Sequence, residues 1–352
     1  MRGRGDRLEA LIGERELDRL LVTELTNVRY LTGFTGTNGV CICGPGLRLF
    51  ITDFRYTERA AAEVEGWETL TIADDWLGGI AARLEGKVGF EDEHMAVKTL
   101  ERLRAKLADG VEAVGASGLV EKLRRVKDET ELAAIREASK LADEVWEWSV
   151  GRGLAGRSER DVARAAEARI REMGGDPSFP AIVAAGPNGA LPHAEPGERE
   201  IGSGELVVFD MGAQLDGYCS DGTRTYATGE PGEEGRTVYE TVLRAQLAAL
   251  EAIEPGVSGE AVDAVAREAI AAAGHGDRFG HGLGHGVGLE VHEGPRLSAR
   301  SDDVLAPGEV VTVEPGIYLP GQLGVRIEDL VIVADGGYEN LSSLPKQLTL
   351  VD

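Results

Sequence analysis

From Asp128 onward, Leu132, Ile135, Ala138, Leu141 and Val145 recur at the spacing of a helix with one buried face, and Asp128 stands at its N-cap. The same rhythm predicts helices over residues 158–173, 236–253 and 258–273, with Ser158 and Ser258 as N-caps. Apolar runs at 206–211, 223–227, 310–313 and 330–333 predict strands between and after them. Ahead of this region the pattern changes. A helix is expected over residues 8–21, apolar strands over 39–52 turned at Gly44-Pro45-Gly46, and another strand over 87–90. Asp53 suits either a helix cap or a cleft residue, and the acidic clusters of Asp74, Asp75, Glu91, Asp92, Glu93 and His94 read as solvated loops. Alternating helix and strand make the first part α/β. A chain of 352 residues exceeds what one core usually serves. Two domains are expected, at 1–122 and 123–352.

Charge narrows the partners. With 61 acidic against 37 basic residues the net charge is −24, which argues against non-specific nucleic-acid binding because phosphate contacts need a basic surface. Only seven of the 37 basic residues are Lys, an acid-rich and Arg-rich balance resembling proteins of salt-loving archaea. No apolar run approaches the ~18 residues of a membrane span, and the charged start, Met1 to Asp6, is followed by no apolar signal region, so a cytoplasmic protein is expected. Cys41, Cys43 and Cys219 form an odd set that suits buried thiols better than a disulfide or a zinc site. No short-period repeat occurs.

The chemistry gathers late in the chain. Residues 279–296, F-G-H-G-L-G-H-G-V-G-L-E-V-H-E-G-P-R, hold His281, His285 and His292 among glycines too numerous for a helix interior. The alternation at 288–292 predicts an extended segment with Leu289 and Val291 facing one way and Glu290 and His292 the other. Asp210 ends one apolar strand and Asp221 precedes another, with a hairpin-type Asp216-Gly217 turn between, which sets the two carboxylates side by side. Left alone, they repel and one binds a proton; a divalent cation removes that cost. Glu314 and Glu328 also follow strand-like residues. Singly, each acid reads as a strand-end or turn carboxylate. Together, Asp210, Asp221, His285, Glu314 and Glu328 offer four oxygen-donor side chains and one imidazole, enough for two divalent ions sharing bridging carboxylates.

In the contexts F-D-M-G, S-D-G-T-R-T, G-H-G-V-G-L-E-V-H-E, V-E-P-G and R-I-E-D, this order resembles the metallopeptidase family of proline dipeptidases, aminopeptidase P and methionine aminopeptidases. The resemblance covers residues 123–352 and implies an α+β catalytic domain with the pita-bread fold. Residues 1–122 resemble, more weakly, the α/β creatinase-like domain that precedes it in the proline-specific branch. By this resemblance Asp210 binds one metal ion, His285 and Glu314 the other, and Asp221 and Glu328 bridge them. Manganese suits the oxygen-rich set best, while cobalt, zinc or iron also fits.

The resemblance further implies that Glu314 moves the proton of an attacking water toward the leaving nitrogen. His292 steadies the scissile amide and the developing oxyanion, and His193, in L-P-H-A-E-P, assists it. Arg326 orients a carboxylate of the metal set, and Arg296 is a candidate for the substrate's terminal carboxylate. His281 is placed beside the set rather than in it, and Gly222 at the pocket rim. The substrate implied is a peptide with proline second, cut by a dipeptidase or an aminopeptidase, in a homodimer paired through the first domain. The alternative, a metal-free creatinase-like amidinohydrolase or a non-enzymatic binding member, is disfavoured because all five ligands are present.

Overall fold

Leu20 and Leu21, placed by their spacing in the tail of the first helix, form a strand instead. In the computed structural model, which describes residues 3–352, α1 spans Arg4–Glu14 and β1 Arg19–Val22. Glu16 takes a left-handed φ of 52°, which a helix does not continue. The strand wins because β1 pairs on both edges and buries Leu20 and Leu21. Met1 and Arg2 of the charged amino terminus lie outside the described residues.

The chain divides into two units, Met1–Arg124 and Arg125–Asp352. In the first, α2 (Leu25–Thr32), β2 (Gly39–Gly44), β3 (Leu47–Thr52), α3 (Thr57–Glu63), β4 (Glu68–Thr71), α4 (Trp76–Ala81), β5 (Lys87–Phe90), α5 (Val97–Arg104) and β6 (Glu112–Gly115) follow, and α6 (Leu119–Arg125) runs to the boundary. The sheet order is β4-β3-β2-β1-β5-β6. Only β2 runs antiparallel to its neighbours, joined to β3 through the Pro45-Gly46 turn. Cys41 and Cys43 are buried free thiols on β2, and burial raises the Cys43 pKa to about 12. Asp53 caps the short turn after β3 by accepting from Arg55 N at 2.9 Å.

Glu91 departs from the solvated reading. It is buried and accepts the backbone N–H groups of Thr23 and Glu24 and the Asn27 side-chain amide at 2.6 to 2.7 Å, tying the end of β5 to the end of β1.

The second unit opens with α7 (Glu129–Val150), whose predicted start is fully formed. Asp128 accepts from Thr130 N and Glu131 N, and the Glu131 side chain accepts from Asp128 N, which makes a capping box. Asp128→Ala is expected to cost about 1 kcal/mol, read as a lower urea midpoint at unchanged slope; an unchanged midpoint would remove the cap from the stability of this helix.

Next come α8 (Glu159–Glu172), β7 (Asp176–Pro177), β8 (Ile182–Ala185), β9 (Leu206–Asp210), β10 (Ala213–Leu215), β11 (Tyr218–Cys219) and β12 (Thr223–Ala227). They are followed by α9 (Gly232–Glu251), α10 (Gly259–Ala272), β13 (Gly284–Gly286), β14 (Glu293–Leu297), β15 (Val310–Val313), β16 (Gly316–Leu319), β17 (Leu323–Arg326), β18 (Asp329–Ala334) and β19 (Gly337–Asn340). Ser158 and Ser258 cap α8 and α10 as predicted. One arrangement recurs: α7 and α8 bury Val145, Val162 and Ile170 against Val183, Val207 and Phe209, and α9 and α10 bury Val242, Val262 and Ile270 against Val311, Val313 and Val331. Each fully buried side chain of this kind contributes roughly 1.5–3 kcal/mol. Among the described residues no helix is long and apolar enough to cross a membrane.

Residues 288–292 are not extended. Gly288 N donates to Glu290 O, and the Glu293 side chain accepts from Glu290 N, which closes a compact turn. Those local bonds outcompete the ladder that alternation suggested.

Candidate metal centre

Two strand ends and two loops carry the acids to one place. Asp210, the last residue of β9, faces Thr223 of β12 in register, and Thr223 forms an isolated bridge to Glu328. Between them, β10 and β11 form their own hairpin through Asp216 and Gly217, both at positive φ, as a tight hairpin turn requires. The chain therefore leaves β9 and returns on β12 with Asp221 two residues before Thr223. Thr223 Oγ1 donates to Glu328 at 2.7 Å, which fixes that carboxylate. Gly222, expected at the rim, lies under Trp146, where an added Cβ would sit 3.0 Å from the indole. The pocket rim is thus made elsewhere.

His285 arrives on β13 beside a bulge in the pairing with β14, where an added Cβ on Gly286 would lie 1.9 Å from Gly294 O. Only glycine permits that approach. The His285 Nδ1 lies 3.1 Å from Gly286 O and donates to it, which aims Nε2 at the acids: protonated it donates to a carboxylate, and unprotonated it can bind a cation. That nitrogen lies 3.6 Å from Asp221 and 3.3 Å from Glu314. Thr312 supports both neighbours, accepting from His285 N and donating to Glu314.

Arg326 is buried and donates in several directions at once. Nη2 reaches Asp210 at 2.5 Å, Nε reaches Thr223 at 3.0 Å, and Nη1 reaches Tyr318 Oη at 3.0 Å and Pro192 O at 3.1 Å. Tyr318 in turn bonds His281 Nε2 at 2.9 Å. Its hydroxyl lies over Gly316, where a Cβ would come within 2.6 Å. Tyr318 was missed from sequence, although its position two residues after Gly316 in a strand places it on the face of Arg326, the partner of Gly316.

The electrostatics leave this set short of positive charge. Burial, and then neighbouring carboxylates, push Asp221 and Glu328 well above the usual carboxylate range. Burial also raises Asp210, although Arg326 opposes it. For Glu314 burial again acts upward and is the largest single effect, but His285, His281 and Arg326 together hold the carboxyl below its ordinary value. Oδ1 of Asp210 is buried without a hydrogen-bond partner among the described residues. Ligand atoms of Asp221, His285 and Glu328 all lie within 4.8 Å of one another. An orphaned carboxylate oxygen, an imidazole nitrogen and crowded acids form a set that a divalent cation would satisfy. The residues fit the ions that their pattern implied.

All nine site residues expected from sequence line one cavity of about 630 Å³. Besides the four acids, His285 and Arg326, these include His193, His292 and Arg296. The His285 and His292 rings lie 4.4 Å apart, edge to face. His292 and Arg296 stay open to the cavity, and burial followed by the charge of His285 lowers the His292 pKa. His281 also lines the cavity, and Phe179, Pro180 and Ile182 add an apolar wall that sequence reasoning did not find.

Comparison with known proteins agrees with this geometry. The profile of metallopeptidase family M24 matches residues 133–335, and that of the creatinase/prolidase N-terminal domain matches residues 4–126. The chain is 42 % identical to the uncharacterized peptidase YqhT of Bacillus subtilis, over 98 % of this chain and 99 % of that one. It is similar to the solved Xaa-Pro dipeptidase from Bacillus anthracis, with a TM-score of 0.96 and 40 % identity over 99 % of both chains. Its likeness to the X-Pro aminopeptidase from Thermotoga maritima MSB8 has a TM-score of 0.91 and 36 % identity, over 98 % of this chain and 100 % of that one. The acid and histidine set thus sits in a pita-bread catalytic domain that follows a creatinase-type domain in the sequence, and the chain belongs to metallopeptidase family M24.

Proposed function

We propose that this chain hydrolyses the peptide bond before proline, and that two divalent cations, manganese by preference, are held by Asp210, Asp221, His285, Glu314 and Glu328. The observation that carries this reading is the convergence of an undercharged acid set and two non-ligand histidines, His193 and His292, on one cavity. In our assignment Asp221 and Glu328 would be shared between the ions, Asp210 would serve one, and His285 with Glu314 would serve the other. When bound, the ions supply Lewis acidity and lower the pKa of water.

The chain's own groups do the rest. Glu314, in the cavity wall beside His285, is placed to take a proton from an attacking water. It hands that proton to the proline nitrogen, which as a tertiary amide has none of its own. His292, kept neutral at pH 7, donates a hydrogen bond to the charge that develops on the scissile carbonyl, and His193 assists from the facing loop. Arg326 holds Asp210 in place. Phe179, Pro180 and Ile182 offer apolar surface to the proline ring.

Arg296, open to the same cavity, suits the carboxylate of a dipeptide. A second reading, an aminopeptidase acting on longer Xaa-Pro peptides, draws on the likeness to the Thermotoga protein. A panel of Xaa-Pro dipeptides and Xaa-Pro-Yaa peptides, assayed in high salt with Mn²⁺ and with chelator, tests both. Cleavage of dipeptides alone is expected, lost on chelation. Faster cleavage of the longer peptides would move the assignment to the aminopeptidase, and activity undiminished by chelation would remove the metal reading. We also propose a homodimer; a monomer by light scattering in molar salt, with full activity, would refute it.

A further inference from the structure

Glu159, the first residue of α8, is wholly buried and does not line the cavity. A buried carboxylate is costly unless it is bonded. No Lys or Arg among the described residues forms an ion pair with it; its two oxygens instead accept four hydrogen bonds. Ala185 N donates at 2.9 Å, the Asn188 amide reaches both oxygens at 3.0 Å, and Gly197 N donates at 3.2 Å. These donors lie at the two ends and near the start of residues 185–197, the segment that carries His193. A second hold acts near its tip, where Arg326 bonds Pro192 O and Gly189 lies against Gly324 of β17 so closely that a Cβ on Gly324 would sit 1.8 Å from Gly189 O. Bonds to a charged acceptor are roughly twice as strong as neutral ones, so a single carboxylate is well suited to cinch a loop.

We propose that Glu159 is the positioning residue for His193: its charge closes the base of residues 185–197 and thereby sets where the His193 ring stands over the cavity. This rests on the reading above that His193 acts on the substrate. Glu159→Gln keeps the shape but turns an amide N–H toward donors, whereas Asn188→Ala keeps the carboxylate and its two backbone bonds and removes the two bonds from the Asn188 amide. The test reads kcat and KM on Xaa-Pro dipeptide and metal content in the manganese-loaded protein, and the NMR signals of the His193 ring in protein loaded with diamagnetic zinc, assigned by their loss in His193→Ala.

Both variants should lower kcat about 10-fold or more with metal content unchanged, and should shift the His193 signals while those of His292 stay in place. Asn188→Ala combined with His193→Ala should be no slower than His193→Ala alone, because both act through one ring. Unmoved His193 signals, or losses that multiply in the double variant, would overturn the positioning role. If the signals move but His193→Ala retains full activity, the positioning stands and the catalytic reading of His193 fails instead.

Discussion

Asp221→Asn, and likewise Glu328→Gln, should abolish turnover and the tight binding of one metal ion while leaving the metal-free fold intact. Loss of a residue that merely supports a metal ligand typically costs 10- to 100-fold, so loss of a bridging oxygen donor should exceed about 10²-fold in kcat. Stability should respond in the opposite sense from an ordinary buried-charge deletion. In the metal-free protein burial and neighbouring acids raise both pKa values, so the stability linked to these groups is complete in acid and is lost as pH rises through the folded values. A neutral amide removes that loss. At neutral pH the metal-free variant should therefore melt no lower than metal-free wild type. Wild type should gain stability with added Mn²⁺, about 2.7 kcal/mol when free ion is 100 times its dissociation constant, whereas the variant gains much less. Near-normal activity in either variant would show the ligand assignment to be wrong.

The second large effect separates two histidines whose rings touch. His285 is buried with Nε2 aimed at Asp221 and Glu314, whereas His292 is exposed to the cavity and has no place in that crowd. His292→Ala should lower kcat by about 10²-fold or more, the loss associated with one oxyanion donor, with metal content unchanged. His285→Ala should lose metal first and activity as a result. Elemental analysis beside steady-state kinetics reads both. If His292→Ala sheds metal while His285→Ala keeps it, the two roles must be exchanged.

What was legible in the sequence was local. Asp128, Ser158 and Ser258 are caps because their own side chains meet nitrogens a few residues away, and β5, β12 and β15 were bounded by their apolar runs. The tail of the first helix was misread because Leu20 and Leu21 answer to a parallel partner near residue 89, which no local spacing announces. Glu91 was misread for the same reason, its donors lying 64 to 68 positions away. The five acid and histidine motifs stood out by type and order. Tyr318, Thr312 and Glu159 did not, since a hydroxyl or a carboxylate in a strand or helix looks alike whether it faces water or supports a loop.

Arg326 also bears on how this site can diverge. Its three nitrogens bond groups on β9, β12 and β16 and the carbonyl of Pro192, in directions set by one rigid plane. Lysine, with its donors on a single atom, cannot span them. A drift in any of these segments moves the guanidinium and is felt by the others, so the Asp210 side of the site and the loop bearing His193 are bound to change together. Variation in substrate preference within such a scaffold is therefore confined to walls that Arg326 does not touch, such as Phe179, Ile182 and Arg296.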